Sequence, residues 1–324
     1  MAAWNWLSTG WSWLVTLCRT NTRTRTVSRL PSSDITCDTL LESNCETLRS
    51  TINFDSVYDL QDILSRGNRL EWCEWYLTFG EKDNLIKGAK QFHQEIEKSN
   101  LSWSIADRID TIEETFLNFM PTDNEWNKIR KCFQEARQKD SPLPIIKAYT
   151  CSLKFSLCVN QHLAANTYHI LKLYCTLFNC PILAQTQEYT EAFTSLLFHP
   201  KLDEFIVRNR TVYRGIVLKD QKRIANYKEG ATIITTTFLS TSTDPIVAEL
   251  FCTVHPEDMI SISIFCTYNI NNTRRRTALD LEKISNFGNE REILILRYIP
   301  FTIKSLERTN DGRRITICFD ECEQ

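Results

Sequence analysis

The alternation of hydrophobic and polar positions changes period near Pro200. Before it, the period is helical. Val57, Leu60, Ile63 and Leu64 share a face of "DSVYDLQDILSR". Leu85, Ala89, Phe92 and Ile96 do so in "KDNLIKGAKQFHQEIEK", followed by Ile105, Ile109, Ile112 and Phe116, then Trp126, Ile129, Phe133 and Ala136. Asp123, after the breaker "MPT", is placed to cap the last of these helices. The two prolines of "DSPLP" at 140–144 predict a stop, with helical character resuming over Val159 to Phe178 and again in "QEYTEAFTSLLF". Beyond Pro200, "RTVYRGIVL", "ATIITTTFLST", "MISISIFCTYNI", "REILILRYIPFTI" and "RRITICF" are rich in β-branched and aromatic residues between short polar turns. One helix is predicted among them, from Asp244 to about Phe251, with Pro245 in its first turn. Helices followed by a block of five or six strands predict an α+β fold.

Composition changes this picture little. The 324 residues are 42% hydrophobic and 24% charged, ordinary for a globular protein. A net charge of −2 leaves no broad electrostatic footprint for nucleic acid. Of the thirteen cysteines, Cys318 and Cys322 are four apart and Cys151 and Cys158 seven apart, and neither pair has the companions of a zinc site. Reduced thiols in an intracellular protein are the favoured reading, with disulfides in a secreted one as the alternative. The start, "MAAWNWLSTGWSWLVTLCRTNTRTRTVSR", places four tryptophans ahead of Arg19, Arg23, Arg25 and Arg29. It is too short to span a bilayer and lacks the charge order of a secretory signal. Weak membrane association through residues 1–30, a mitochondrial presequence and an unstructured extension all remain open. The cytoplasm is the expected location, with membrane-associated, mitochondrial and secreted as alternatives.

Three places in the β block carry polar groups that do not suit a plain core. Arg214 stands inside an apolar strand and is followed by Gly215, a residue that in strands often marks close approach of a ligand or another backbone. Ser240 and Ser242 in "TFLSTSTDP" fall on one strand face, with Thr241 opposite. Glu290 and Glu292, in "SNFGNEREILILRYIPF", stand at i and i+2 and are expected on one face of one strand. Each alone has an ordinary structural reading, as a solvated face or a strand end. Together they offer a guanidinium fork suited to phosphate, hydroxyls that can orient a carboxylate, and a carboxylate pair that stabilises positive charge.

In this order, "YRG" at 213–215, "FLSTS" at 238–242 and "ERE" at 290–292 resemble the Arg, Ser-Thr-Ser and Glu-x-Glu motifs of the arginine-specific mono-ADP-ribosyltransferases. "IIKAYTCSLKFSLCVNQHLA" is similar to the helical lobe before that family's sheet, so the resemblance spans about Leu143 to Phe319. It implies the ADP-ribosyltransferase fold, a helical lobe packed on a split, mainly antiparallel β core. The implied division is an extension over 1–50, a helical region over 51–140 and a catalytic domain over 141–324.

The resemblance further implies NAD+ as a substrate, no metal, and as partner an acceptor protein presenting arginine. Arg214 is implied to contact the phosphates and adenosine side of NAD+, and the Gly215 backbone the nicotinamide carboxamide. Ser240 is implied to position Glu292, with Thr241 and Ser242 completing the cofactor-binding motif. Glu292 is the implied catalytic residue, gripping the ribose 2′-hydroxyl and stabilising the oxocarbenium ion. Glu290 and Phe287 are implied to recognise the acceptor, Glu290 being the mark of arginine as target. A poly-ADP-ribose polymerase is disfavoured, because those relatives carry His and Tyr where this chain has Arg214 and the serines. A NAD+ glycohydrolase and a catalytically quiet NAD-binding scaffold are the alternatives.

Overall fold

The computed structural model describes residues 82–170, 181–218, 227–254, 260–285 and 288–322. The extension over 1–50, the helix from Asp55, the end of the helix near Phe178 and Phe287 lie outside the described residues.

Among the described residues six helices precede the strands: α1 (Lys82–Ser102), α2 (Ile105–Thr115), α3 (Asn124–Lys139), α4 (Leu143–Cys151), α5 (Leu153–Ile170) and α6 (Pro181–Leu197). Their ends follow local chemistry. Ser104 and Asp107 form a reciprocal capping box on α2. Asp123 caps α3 as expected, accepting from the Trp126 N–H at 2.9 Å. The stop expected at 140–144 is brief, because Pro142 precedes α4 and Pro144 falls in its first turn, where a missing N–H costs nothing.

The strands are β1 (Arg210–Leu218), β2 (Thr232–Ile234), β3 (Leu239–Ser242), β4 (Ile262–Ile270), β5 (Ala278–Asp280), β6 (Glu292–Ile295), β7 (Pro300–Arg308) and β8 (Arg314–Glu321), with helix α7 (Pro245–Phe251) after β3. They order as β2-β7-β8-β4-β1-β3-β6-β5, antiparallel except for the β4–β8 pair. The α+β class stands, and the described sheet is mainly antiparallel. It divides at β1 and β3, which meet through one register pair, Tyr213 opposite Ser242. The run "REILILRYIPFTI" is two strands, β6 and β7, because the chain bends at Tyr298, whose φ is 64°. β5, three residues long, offers too little alternation to be seen in sequence.

One hydrophobic core joins helices and sheet, running from Ala89 on α1 through Phe133, Phe155 and Phe193 to Phe238, Ile295 and Phe319. Phe116 stacks on Tyr189 with centroids 4.2 Å apart, fastening the end of α2 to α6. Among the described residues Cys151, Cys158, Cys318 and Cys322 form no disulfide. Among the described residues no helix is long and apolar enough to cross a membrane.

Among the described residues the largest fully buried side chain is Arg297, at the bend between β6 and β7. Its Nη1 donates to Thr194 Oγ1 on α6 at 3.1 Å and its Nη2 to the Leu163 carbonyl on α5 at 2.9 Å. Nη2 also donates to the Tyr298 hydroxyl, and the guanidinium lies 4.2 Å from the Tyr298 ring centroid. A charge fully removed from water is tolerated only with such partners, so it ties both helices to the sheet. Arg297→Ala is expected to lower unfolding stability by about 3 kcal/mol or more, since it removes these contacts and leaves a cavity in the core. Arg297→Met, keeping the volume, should lose less, and equilibrium urea unfolding measures both.

Candidate active site

The three motifs meet at the seam of the divided sheet. β3 and β6 pair antiparallel, with Ser242 opposite Glu292, Thr241 opposite Ile293 and Ser240 opposite Leu294. Ser240 and Glu292 are therefore diagonal neighbours, within reach of a long side chain. The Ser240 hydroxyl donates to Glu292 Oε1 at 2.6 Å. Arg214, on β1 opposite Cys266, donates from Nη1 to the Ser240 carbonyl. The residues singled out at 214, 240 and 292 thus form one chain of contacts.

Thr241 and Ser242, expected beside a cofactor, are both buried, and each hydroxyl is used on the carboxylate segment. Thr241 Oγ1 donates to the Ile293 carbonyl and Ser242 Oγ to the Glu290 carbonyl, each at 2.6 Å. The Thr243 N–H donates to the Arg291 carbonyl at 3.2 Å, and the Leu281 N–H to that of Glu292 at 2.9 Å. These bonds tie the segment that carries Glu290 and Glu292 to β3.

The carboxylate pair departs from expectation. Glu290 and Glu292 do not share a strand, because β6 begins at Glu292 and Glu290 ends a 3-10 turn over Gly288–Glu290. Between them Arg291 takes a left-handed φ of 47°, which breaks the strand period. Glu292 is 6% exposed and Glu290 about half-buried. Burial pushes the Glu292 carboxyl above its ordinary value, opposed by hydrogen bonds from Ser240 and Ser285 and by the charge of Arg214. Burial also raises Glu290, and the neighbouring Glu292 charge adds to it. Both shifts have the direction expected of carboxyls that lack a nearby cation sufficient to offset their burial.

Gly215 sits where another backbone approaches closely, one of the two readings its place in a strand offered. A Cβ on it would lie 1.8 Å from the Ala248 carbonyl oxygen and 2.8 Å from Cys252 Sγ. The backbone that its missing side chain admits is α7. Three residues bear on the site without having been assigned to it. Tyr149 on α4 donates to Asn160 Oδ1 on α5 at 3.0 Å, and Asn160 Nδ2 donates at 3.5 Å to the carbonyl of Phe238, just before β3. Burial, then the nearby Glu292 charge, holds the Tyr149 phenol well above its ordinary range. Ser285 is the third, through its bond to Glu292. The first two fall in "IIKAYTCSLKFSLCVNQHLA", which the sequence singled out only as similar to a helical lobe. Among the described residues no group of three or more His, Cys, Asp or Glu could hold a metal ion.

No protein-family model and no curated protein matches this chain. Solved structures do. Vis toxin, an ADP-ribosyltransferase from Vibrio splendidus, is 19% identical over 77% of this chain and 90% of its own, with a TM-score of 0.39. Exoenzyme S from Pseudomonas aeruginosa, solved with human 14-3-3 protein beta and carba-NAD, is 16% identical over 67% and 88%, with a TM-score of 0.42. The type III effector XopAI from Xanthomonas axonopodis pv. citri is 16% identical over 76% and 95%, with a TM-score of 0.41.

Two predictions follow from the site's packing. A carboxyl raised above its unfolded value of 4.5 contributes stability below that pH, which is lost as pH rises through the folded value. Glu292→Gln keeps an acceptor for Ser240 and removes that loss, so its melting temperature near neutral pH should exceed the parent's, with a flatter dependence on pH. Gly215→Ala must displace α7 and should cost about 1–3 kcal/mol in denaturant unfolding.

Proposed function

We propose that the chain is an NAD+-dependent mono-ADP-ribosyltransferase that transfers ADP-ribose to arginine side chains and releases nicotinamide. The observation that carries this reading is the nearly buried Glu292 carboxylate, bonded by Ser240 on the strand that Arg214 also contacts. In this reading the bond between nicotinamide nitrogen and ribose C1′ breaks, and its electron pair leaves with nicotinamide. Positive charge develops at C1′, where the fixed Glu292 carboxylate meets a charge that exists only as the bond breaks. Arg214 extends a donor-only guanidinium from the same seam toward the NAD+ phosphates. A guanidinium nitrogen of the acceptor then attacks C1′, and its proton passes to Glu290. Burial and the Glu292 charge raise the basicity of Glu290, which suits it to that step. In this reading the catalytic domain covers residues 141–324, with 51–140 as a helical region before it.

Hydrolysis of NAD+ is the second reading, favoured by one feature. Glu290 is about half-buried rather than enclosed, so water can stand where the acceptor nitrogen would.

Labelled NAD+ with and without agmatine, an arginine mimic, separates the two. Label on agmatine supports transfer, free ADP-ribose alone supports hydrolysis, and no turnover by folded protein overturns both. Glu292→Gln is expected to reduce both activities by about 10²–10³. Glu290→Gln should keep hydrolysis and lose transfer; normal arginine modification by that variant would overturn its assigned role.

A further inference from the structure

A second group of polar side chains lies away from the seam, in a cavity of about 160 Å³, partly open to solvent. Lys90, His93 and Glu97 of α1 form one wall, and Arg275 and Arg276 of the β4–β5 loop form another. None of these residues belongs to the site around Glu292. His93 is 7% exposed, yet its Nε2 has no hydrogen-bond partner among the described residues. Arg275 Nη1 is likewise buried and without a partner there. Two unmet buried polar atoms on facing walls of one cavity are uncommon in folded proteins, and each loses the hydration it had in water.

The loop presents Arg275 in a fixed frame. The N–H groups of Arg274 and Arg275 both donate to Asn272 Oδ1 at 2.9 Å. Those of Asn271 and Asn272 both donate to Glu321 Oε2 at 2.9 Å. Arg276 is paired with Asp203, its Nη2 donating to Oδ2 at 2.9 Å. That leaves Lys90 and Arg275 as the cations lining the cavity, with Glu97 the carboxylate that lines it among the described residues and the charge of Glu321 also acting on Arg275. A guanidinium N–H is a donor and never an acceptor, so the missing group must be an acceptor, and its planar fork matches an oxyanion.

We propose that this cavity binds a phosphate group, free or as a phosphomonoester, through Arg275, His93 and Lys90. Glu97 sets the preference among oxyanions. A phosphate near neutral pH can carry an O–H that donates to the Glu97 carboxylate, whereas sulfate has none and meets like charge. Burial, followed by the charges of Arg275 and Arg276, lowers His93 to a pKa of about 3, so its ring is neutral and gives one N–H.

Calorimetric titration of the full chain with inorganic phosphate, glycerol phosphate and sulfate at fixed ionic strength tests this. One saturable phosphate site per chain is expected, with sulfate weaker by about tenfold or more. Tighter glycerol phosphate identifies a phosphomonoester as the ligand, and tighter inorganic phosphate the free ion. Arg275→Gln should weaken phosphate by about tenfold or more, while Arg274→Gln, exposed and outside the cavity lining, should not. If circular dichroism shows Arg275→Gln unfolded, Lys90→Gln, at an exposed helix position, takes its place with the same expectation. Glu97→Gln should narrow the gap between phosphate and sulfate. Absence of saturable phosphate binding, or phosphate affinity unchanged by the cavity-lining variant, overturns the proposal.

Discussion

The pairing of β3 with β6 is the constraint on which the site depends. A slip of one residue would turn Ser240 away from Glu292 and exchange the faces of Ile293 and Leu294. The register is held from both strand faces. Buried Ile293 and Leu294 resist the slip through apolar contact, and the Thr241 and Ser242 hydroxyls bond carbonyls of the partner segment. The Thr243 amide continues this past the strand end, holding the Arg291 carbonyl where the chain turns left-handed. Rigid support of this kind lets a carboxylate stay poised without rearranging when charge appears.

Two buried charges divide the work. Arg297 is enclosed and bonded through Nη1 and Nη2 to groups on α5, α6 and Tyr298, so it fixes how the helical layer sits on the sheet. Glu292 is nearly enclosed and only in part offset, by Ser240, Ser285 and Arg214. The first opposes movement of the helices, through which Tyr149 and Asn160 reach the segment before β3. The second keeps an electrostatic cost in the folded state that a cationic partner would relieve.

Much of this was legible along the chain. Helical faces at Ile105, Ile109 and Ile112, or at Trp126, Ile129 and Phe133, are buried as their spacing requires. Asp123 caps where it was expected, since a cap is a bond across three residues. Short or context-dependent elements were not. β5 has three residues, and the prolines at 142 and 144 begin a helix instead of barring one because Pro suits a first turn. The placement of Glu290 off the strand turned on the left-handed Arg291, which has no signature in residue type.

Residue identity and order alone determined the inventory of the site: a guanidinium, hydroxyls and two carboxylates on successive β segments. Only the tertiary structure decided how each is used. Gly215 makes room for α7, Thr241 and Ser242 hold the carboxylate segment, and Glu292 alone of the pair is nearly buried. It also brought His93 to Arg275, residues 182 positions apart by their numbers, 93 and 275. Local pattern encodes caps, faces and residue chemistry, because those depend on neighbours a few positions away. Burial, and the partner that a buried charge meets, depend on segments brought together by the shared core, and no local pattern contains them.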